Sequence, residues 1–302
     1  MRKLFLAILL CSICAAALPA RAAFVERFVS GADGVRIHLL QGGPADAAQT
    51  LLLVSGWRVS SMIWRAQIEY FSTRGYRVVA MDSRSQGESS VVYLHNDPES
   101  RARDIRQVIA ALLPKDLILL GWSQGVQDVA AYVGQFGTAG ISHLVLVDST
   151  VSAGPADVTA HPRFVKIILR GAAAYSRDPL TYSQGMMRSI ISAPTAAPVM
   201  SRLVGESMKT PPAVGVAMLT EDLFTVDRRP FLAKFDRPTL VIVSDRNPFM
   251  TEEKHMADRL TDGRFVVVAH AAHAVFFDQP AAFNSALETF IAGGAAGGKS
   301  QP

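Results

Sequence analysis

Cysteine is nearly absent from these 302 residues: there are two, Cys11 and Cys14, both close to the start. Past residue 22 this excludes a cysteine nucleophile, a thiolate metal site and a disulfide framework. A domain this long can build its core without such staples. Long hydrophobic runs are scarce too. Beyond residues 4–18 no segment offers about 18 uninterrupted apolar residues, so no stable membrane insertion is expected. There is also little excess of either charge, with 30 Lys and Arg against 26 Asp and Glu. If Arg2, Lys3 and Arg21 leave with a leader, 27 basic residues remain against those 26, which is no electrostatic footprint for nucleic acid.

The leader is read from Met1-Arg2-Lys3, the apolar residues 4–18, and Ala20-Arg21-Ala22. These are the charged, apolar and small-residue regions of a secretory signal peptide, with cleavage expected after Ala22. The expected location is the periplasm or the outside of a bacterium, where a cysteine-free chain is at home.

After the leader, residues 24–30 and 35–41 flank Gly31-Ala32-Asp33-Gly34, a turn sequence that predicts a β-hairpin. Strand-like runs then alternate with helical stretches up to Asp148, which implies parallel strands joined by crossover helices. The rhythm stops after Asp148 and returns at residues 239–243. The segment between contains no good strand and is punctuated by Pro155, Pro162, Pro179, Pro194, Pro198, Pro211 and Pro212, residues that mark helix boundaries. We therefore expect a signal peptide at 1–22, the first part of an α/β core at 23–150, a helical lid at 151–236, the second part of the core at 237–292, and a disordered glycine-rich tail at 293–302.

One motif carries chemistry. Residues 117–120 read as a strand, Gly121-Trp122-Ser123-Gln124-Gly125 follows, and residues 124–136 read as a helix. Strand, sharp turn and helix together make a nucleophile elbow, in which glycines let the backbones pass closely and the serine hydroxyl is lifted above the sheet. A serine hydroxyl needs a base, which must come from the seven histidines. His273 follows the last predicted strand and precedes the terminal helix, so it is the expected base; His270 is its local decoy. His38, His95, His143, His161 and His255 are read as structural or surface residues. The oxyanion formed on attack needs two backbone N–H donors, expected from Gln124 after the serine and from Trp57 in Ser55-Gly56-Trp57.

With these residues in place the chain resembles the α/β-hydrolase superfamily, and is most similar to its branch of cofactor-free haloperoxidases and aryl esterases. Ser55-Gly56-Trp57 stands where that branch has His-Gly-Trp or His-Gly-Phe. Asp82-Ser83-Arg84-Ser85-Gln86-Gly87-Glu88-Ser89 stands where it has Asp-Arg-Arg-Gly-His-Gly-Arg-Ser. The resemblance implies a mostly parallel eight-stranded sheet flanked by helices, a helical lid after the sixth strand, and no metal or organic cofactor. It also exposes a departure. The family's acid follows the seventh strand, and that position is Asn247 in Ser244-Asp245-Arg246-Asn247-Pro248, which carries no charge to support an imidazolium. Two aspartates remain: Asp148 at the end of the sixth strand, preferred because a strand end is held rigidly, and Asp245. Cofactor-free dioxygenases share the Asp148 placement.

The expected function is an exported serine hydrolase that cleaves a carboxylic ester or related acyl compound through an acyl-enzyme on Ser123. The alternative is a dioxygenase-like or other non-hydrolytic enzyme using the same Ser/His/Asp constellation. The expected partner is a small apolar or aromatic acyl substrate. Met186, Met187, Met200, Met208, Met218, Phe164, Tyr175 and Tyr182 are read as shaping its pocket, with packing of the lid on the core as the commoner role for any one methionine taken singly.

Overall fold

The computed structural model describes residues 24–152 and 159–293. The predicted signal peptide, Pro155 and the tail from residue 294 lie outside the described residues.

Eight strands form one sheet: β1 Val25–Ser30, β2 Arg36–Gly42, β3 Thr50–Val54, β4 Arg77–Met81, β5 Leu117–Trp122, β6 Ile141–Val147, β7 Thr239–Ser244 and β8 Gly263–Val268. Their spatial order is β1-β2-β4-β3-β5-β6-β7-β8. The β1–β2 and β2–β4 pairs are antiparallel and every other pair is parallel. The expected mostly parallel eight-stranded sheet is therefore present. The predicted hairpin is β1–β2, closed by a short 3-10 turn in which Asp33 takes a left-handed conformation (φ 58°).

Ten helices are described: α1 Arg65–Ser72, α2 Pro98–Leu112, α3 Gln124–Phe136, α4 Pro162–Arg177, α5 Pro179–Ile190, α6 Ala197–Ser207, α7 Pro212–Phe224, α8 Met250–Asp258, α9 Val275–Asp278 and α10 Pro280–Ile291. Strands β3, β4, β5 and β7 are buried along their whole length, and mostly apolar, because both faces of the sheet are covered. Successive side chains alternate between two cores. Leu52, Val54, Leu117 and Leu119 join Ile105 and Val108 of α2 and Val126 and Val129 of α3. Leu51, Leu53, Ile118 and Leu120 join Ile68 and Phe71 of α1 and Phe283 and Leu287 of α10.

Between β6 and β7 the chain inserts α4 to α7 and no strand among the described residues. Each of these helices carries a proline in its first turn: Pro162, Pro179, Pro198 and Pro212. Proline is pre-set there for helical φ and lacks an N–H that would have had no intrahelical acceptor. Arg58, in the loop after β3, ties this insertion to the core. Its guanidinium donates to Ser183 Oγ (2.5 Å) and lies 3.6 Å from the Tyr175 ring centroid. Burial pushes the group down to about 10.

Candidate active site

Parallel strands deliver their carboxyl ends to one side of the sheet, and the chemistry-bearing residues leave from those ends. Ser123 follows β5 and caps α3 with φ 56° and ψ −121°, a left-handed conformation that costs a non-glycine residue about 1–3 kcal/mol. The turn that imposes it is very tight. A Cβ at Gly121 would sit 2.2 Å from the Gly125 carbonyl oxygen, so no other residue fits there. The strained serine is held by its own N–H, which donates to the Val147 carbonyl at 3.0 Å.

His273 lies in the loop after β8, with Nε2 2.8 Å from Ser123 Oγ and Nδ1 2.8 Å from Asp148 Oδ2. Three contacts hold that loop. Trp122 Nε1 donates to the His273 carbonyl (2.8 Å), Asp278 accepts from the Ala272 N–H (2.7 Å), and the Ala274 N–H donates to the Ile190 carbonyl at the end of α5 (2.8 Å).

The structure separates the two candidate acids. Asp148, buried just past β6, has both carboxylate oxygens in use: Oδ2 faces His273, and Oδ1 accepts from the Ser244 N–H (2.7 Å) and from Asn247 Nδ2 (2.9 Å). Asp245 is exposed and turned toward backbone, accepting from the N–H groups of His270 (2.8 Å) and Ala271 (3.3 Å). Those N–H groups hold its carboxyl below the usual carboxylate range. Asp245 thus ties β7 to the histidine loop and makes no side-chain contact with His273. His270, the decoy, makes no bond to Ser123.

Asn247 therefore serves as a donor where the resemblance led us to look for an acid. Its amide nitrogen bonds both Asp148 and Glu253 Oε1 (2.7 Å), and its Oδ1 accepts from the Phe249 N–H (2.7 Å). Glu253, on α8, is buried. Desolvation, reinforced by the nearby Asp148 charge, pushes its carboxyl up to about 8. The side chain therefore holds its proton at neutral pH.

The expected oxyanion donors flank Ser123. Gln124 opens α3, so its N–H has no intrahelical acceptor. The loop carrying Trp57 runs against the nucleophile, close enough that a Cβ at Gly56 would lie 2.8 Å from Ser123 Cβ. The Trp57 indole points away from the catalytic group and donates to the Gly215 carbonyl in α7 (2.9 Å). A buried polar network lies behind this region. Gln124 bonds Asp222 (2.5 Å) and Gln86 (3.2 Å), and Arg101 joins Asp222 (2.7 Å) to Asp128 (2.8 Å). Two positions that depart from the branch's motifs have structural partners here: Gln86 in this network, and Ser55 as acceptor for Trp64 Nε1 (3.0 Å).

Ser123, His273, Asp148, Gln124 and Trp57 line a cavity of 880 Å3. Of the eight lid side chains expected in its wall, only Phe164 is there. Met187 and Met218 are fully buried, Met186, Met200 and Met208 pack against the core, and Tyr175 and Tyr182 surround Arg58. The thioether side chains of the insertion fill gaps between it and the core and do not line the pocket, whose one methionine among the described residues is Met256 on α8. His161 and His255, read from sequence as structural or surface residues, lie at the surface of this cavity. Among the described residues no group of three or more His, Asp or Glu is placed to hold a metal ion, and no helix is long and apolar enough to cross a membrane.

Residues 51–286 match the model of a family described as "Alpha/beta hydrolase family". Over 120 residues the chain is 33% identical to a non-heme haloperoxidase of Rhodococcus erythropolis, covering 40% of this chain and 43% of that protein. Over 122 residues it is 34% identical to a bifunctional esterase/perhydrolase of Acinetobacter calcoaceticus, covering 40% and 44%. The chain thus spans less than half the length of these two curated relatives. A bromoperoxidase from Bacillus anthracis shares the fold, with a TM-score of 0.80 at 20% identity, covering 89% of this chain and 100% of that one.

Proposed function

Because the chain belongs to the alpha/beta hydrolase family, we propose that it is an exported serine hydrolase cleaving carboxylic esters or related acyl compounds. The observation that carries this reading is the unbroken chain from Ser123 Oγ through His273 to Asp148, each step 2.8 Å. A base within hydrogen-bond reach of the nucleophile, itself oriented by a buried carboxylate, is the arrangement that activates a hydroxyl.

Ser123 Oγ attacks the substrate carbonyl carbon while His273 Nε2 takes its proton. Asp148 stabilises the imidazolium through Nδ1, and the N–H groups of Gln124 and Trp57 receive the oxyanion. His273 then protonates the leaving alcohol. Water, deprotonated by the same nitrogen, hydrolyses the acyl-enzyme and regenerates Ser123. The esterase half of the Acinetobacter relative's name supports ester substrates. Export is supported by the charged, apolar and small-residue order of residues 1–22.

The test is labelling with a fluorophosphonate, followed by a panel of esters, lactones and amides, on wild type and Ser123→Ala. The expected result is one adduct, on Ser123, and ester hydrolysis that Ser123→Ala loses. No adduct, with oxygen uptake on a quinolone-like substrate, would move the constellation to the non-hydrolytic reading.

A further inference from the structure

The 880 Å3 cavity lies toward the upper end of the roughly 300–1,000 Å3 that small-molecule sites occupy, far more than a short acyl ester fills. Two helices face each other across it. On the α4 side the wall is made by His161, Phe164, Val165 and Ile168, the spacing of a single helical face. On the α8 side Glu252, Met256 and Arg259 repeat that spacing. Phe249 closes the gap between them, its ring 4.9 Å from Phe164 and 5.7 Å from His161. The α4 wall is therefore largely apolar, while the α8 wall sets Met256 between the charged side chains of Glu252 and Arg259.

The charges around that apolar channel do not balance. Among the described residues four acids and four arginines line it, and three of the acids are accounted for. Asp148 is committed to His273, Ser244 and Asn247, and Asp222 to Arg101 and Gln124. Glu253, in contact with Asn247, holds its proton at neutral pH. Only Glu252 is left. Of the four arginines, Arg229 is paired with Asp227 (2.6 Å). Arg188 on α5, Arg246 in the loop after β7, and Arg259 at the end of α8 have no carboxylate partner among the described residues, and all three are exposed at the cavity. Three separate elements thus bring unpaired guanidinium groups to one apolar channel that also contains the nucleophile. Guanidinium matches carboxylate geometry with paired N–H donors.

We propose that the preferred substrates are esters whose far end bears a carboxylate, such as monoesters of dicarboxylic acids, with the chain on Phe164, Ile168 and Phe249 and the carboxylate at Arg188, Arg246 and Arg259. The inference rests on the serine-hydrolase reading above. Ester and water give the free acid and the alcohol: the ester C–O bond breaks, the Ser123 proton leaves on the alcohol through His273, and water supplies the new hydroxyl. The far carboxylate is unchanged throughout.

The experiment compares monomethyl esters of dicarboxylic acids of increasing length with methyl esters of the matching monocarboxylic acids, using the full mature protein. For at least one length kcat/KM should favour the carboxylate-bearing ester by about tenfold at low salt, since exposed pairs are individually weak but here act together. That ratio should shrink towards one at about 0.5 M salt, where charges are screened within a few ångströms. Arg188→Gln, Arg246→Gln and Arg259→Gln, made singly, should each lower the ratio. A ratio of one or less at every length, with the neutral esters still hydrolysed, overturns the anionic site and leaves the serine-hydrolase reading standing. A ratio that none of the three substitutions moves does the same. If no ester of either kind is hydrolysed and Ser123 takes no fluorophosphonate, the underlying reading falls with it.

Discussion

Asp148→Asn removes a charge at a position where the surrounding donors dictate how asparagine must sit. Oδ1 of Asp148 accepts from two N–H donors, Ser244 at 2.7 Å and Asn247 at 2.9 Å, so the carbonyl oxygen of an asparagine has to take that side. The NH2 group then occupies the place of Oδ2, 2.8 Å from His273 Nδ1. An amide NH2 can only donate, so Nδ1 must present its lone pair and the ring proton moves to Nε2. That is the nitrogen required to take the proton from Ser123. The opposite amide orientation would aim NH2 at two buried donors and leave them unpaired, at about 1–3 kcal/mol each. Wrong tautomer and lost imidazolium stabilisation together should lower kcat by about 10⁴-fold, near 5 kcal/mol, the size this change has in other Ser-His-Asp triads. Turnover of p-nitrophenyl butyrate, normalised to the fraction of Ser123 that reacts with a fluorophosphonate, measures it. The companion Asp245→Asn should stay within about threefold of wild type, because that carboxylate only accepts from loop N–H groups, which an amide oxygen still does. Asp148→Asn within about tenfold of wild type, or collapse of Asp245→Asn instead, refutes the assignment of the acid.

Glu253→Gln should stabilise the protein increasingly as pH rises. The folded carboxyl is raised from 4.5 to about 8, so the folded state holds a proton that the unfolded chain releases, and stability is lost as pH climbs through that window. Glutamine has no such loss. The Tm difference between variant and wild type should therefore grow from pH 5 to pH 8, by the equivalent of a few kcal/mol; a difference that ignores pH rejects the protonated form. Asp222→Ala should cost about 3–5 kcal/mol in urea unfolding, because it leaves the fully buried Arg101 with Asp128 as its only carboxylate. Loss of under about 1 kcal/mol would mean that the network is not under the strain burial implies. Mass spectrometry of the exported protein should find Ala23 at its N-terminus, and retention of Met1 there would reject the predicted cleavage.

Much of the site was legible because it is local. The elbow is a strand, a tight turn and a helix: β5 begins at Leu117 as the apolar pattern places it and runs two residues past Leu120 to Trp122, and α3 Gln124–Phe136 matches the predicted helix. The insertion was legible for a similar reason, since proline marks a helix start from within the sequence. Residues whose role depends on distant partners were not. Asn247 reads as a missing acid until Asp148, 99 positions away, is seen to accept a hydrogen bond from it, and Gln86 reads as a departure from the branch's motif until Gln124 faces it. Glu253 follows an ordinary helical pattern on α8, and only burial beside Asp148 changes its charge. The four-residue helix α9 Val275–Asp278 is too short to carry a periodic signal.

The methionines take the packing role and not the pocket role, for a physical reason. A methionine-rich segment over strand ends suggests an adaptable acyl site, but an insertion of amphipathic helices must first bury one face of each helix on the core. Met187 and Met218 do that with no exposed surface. The cavity is left to residues whose side chains the insertion did not need for its own packing: Phe164 and Ile168 on α4, Phe249 before α8, and the arginines Arg188, Arg246 and Arg259. An arginine held at a cavity without a carboxylate gains nothing for the fold, whereas each methionine in the core gains its burial. Residues of the second kind report on stability. The arginines are the ones that bear on what enters, and they point to a negative charge where the methionines had suggested only an apolar chain.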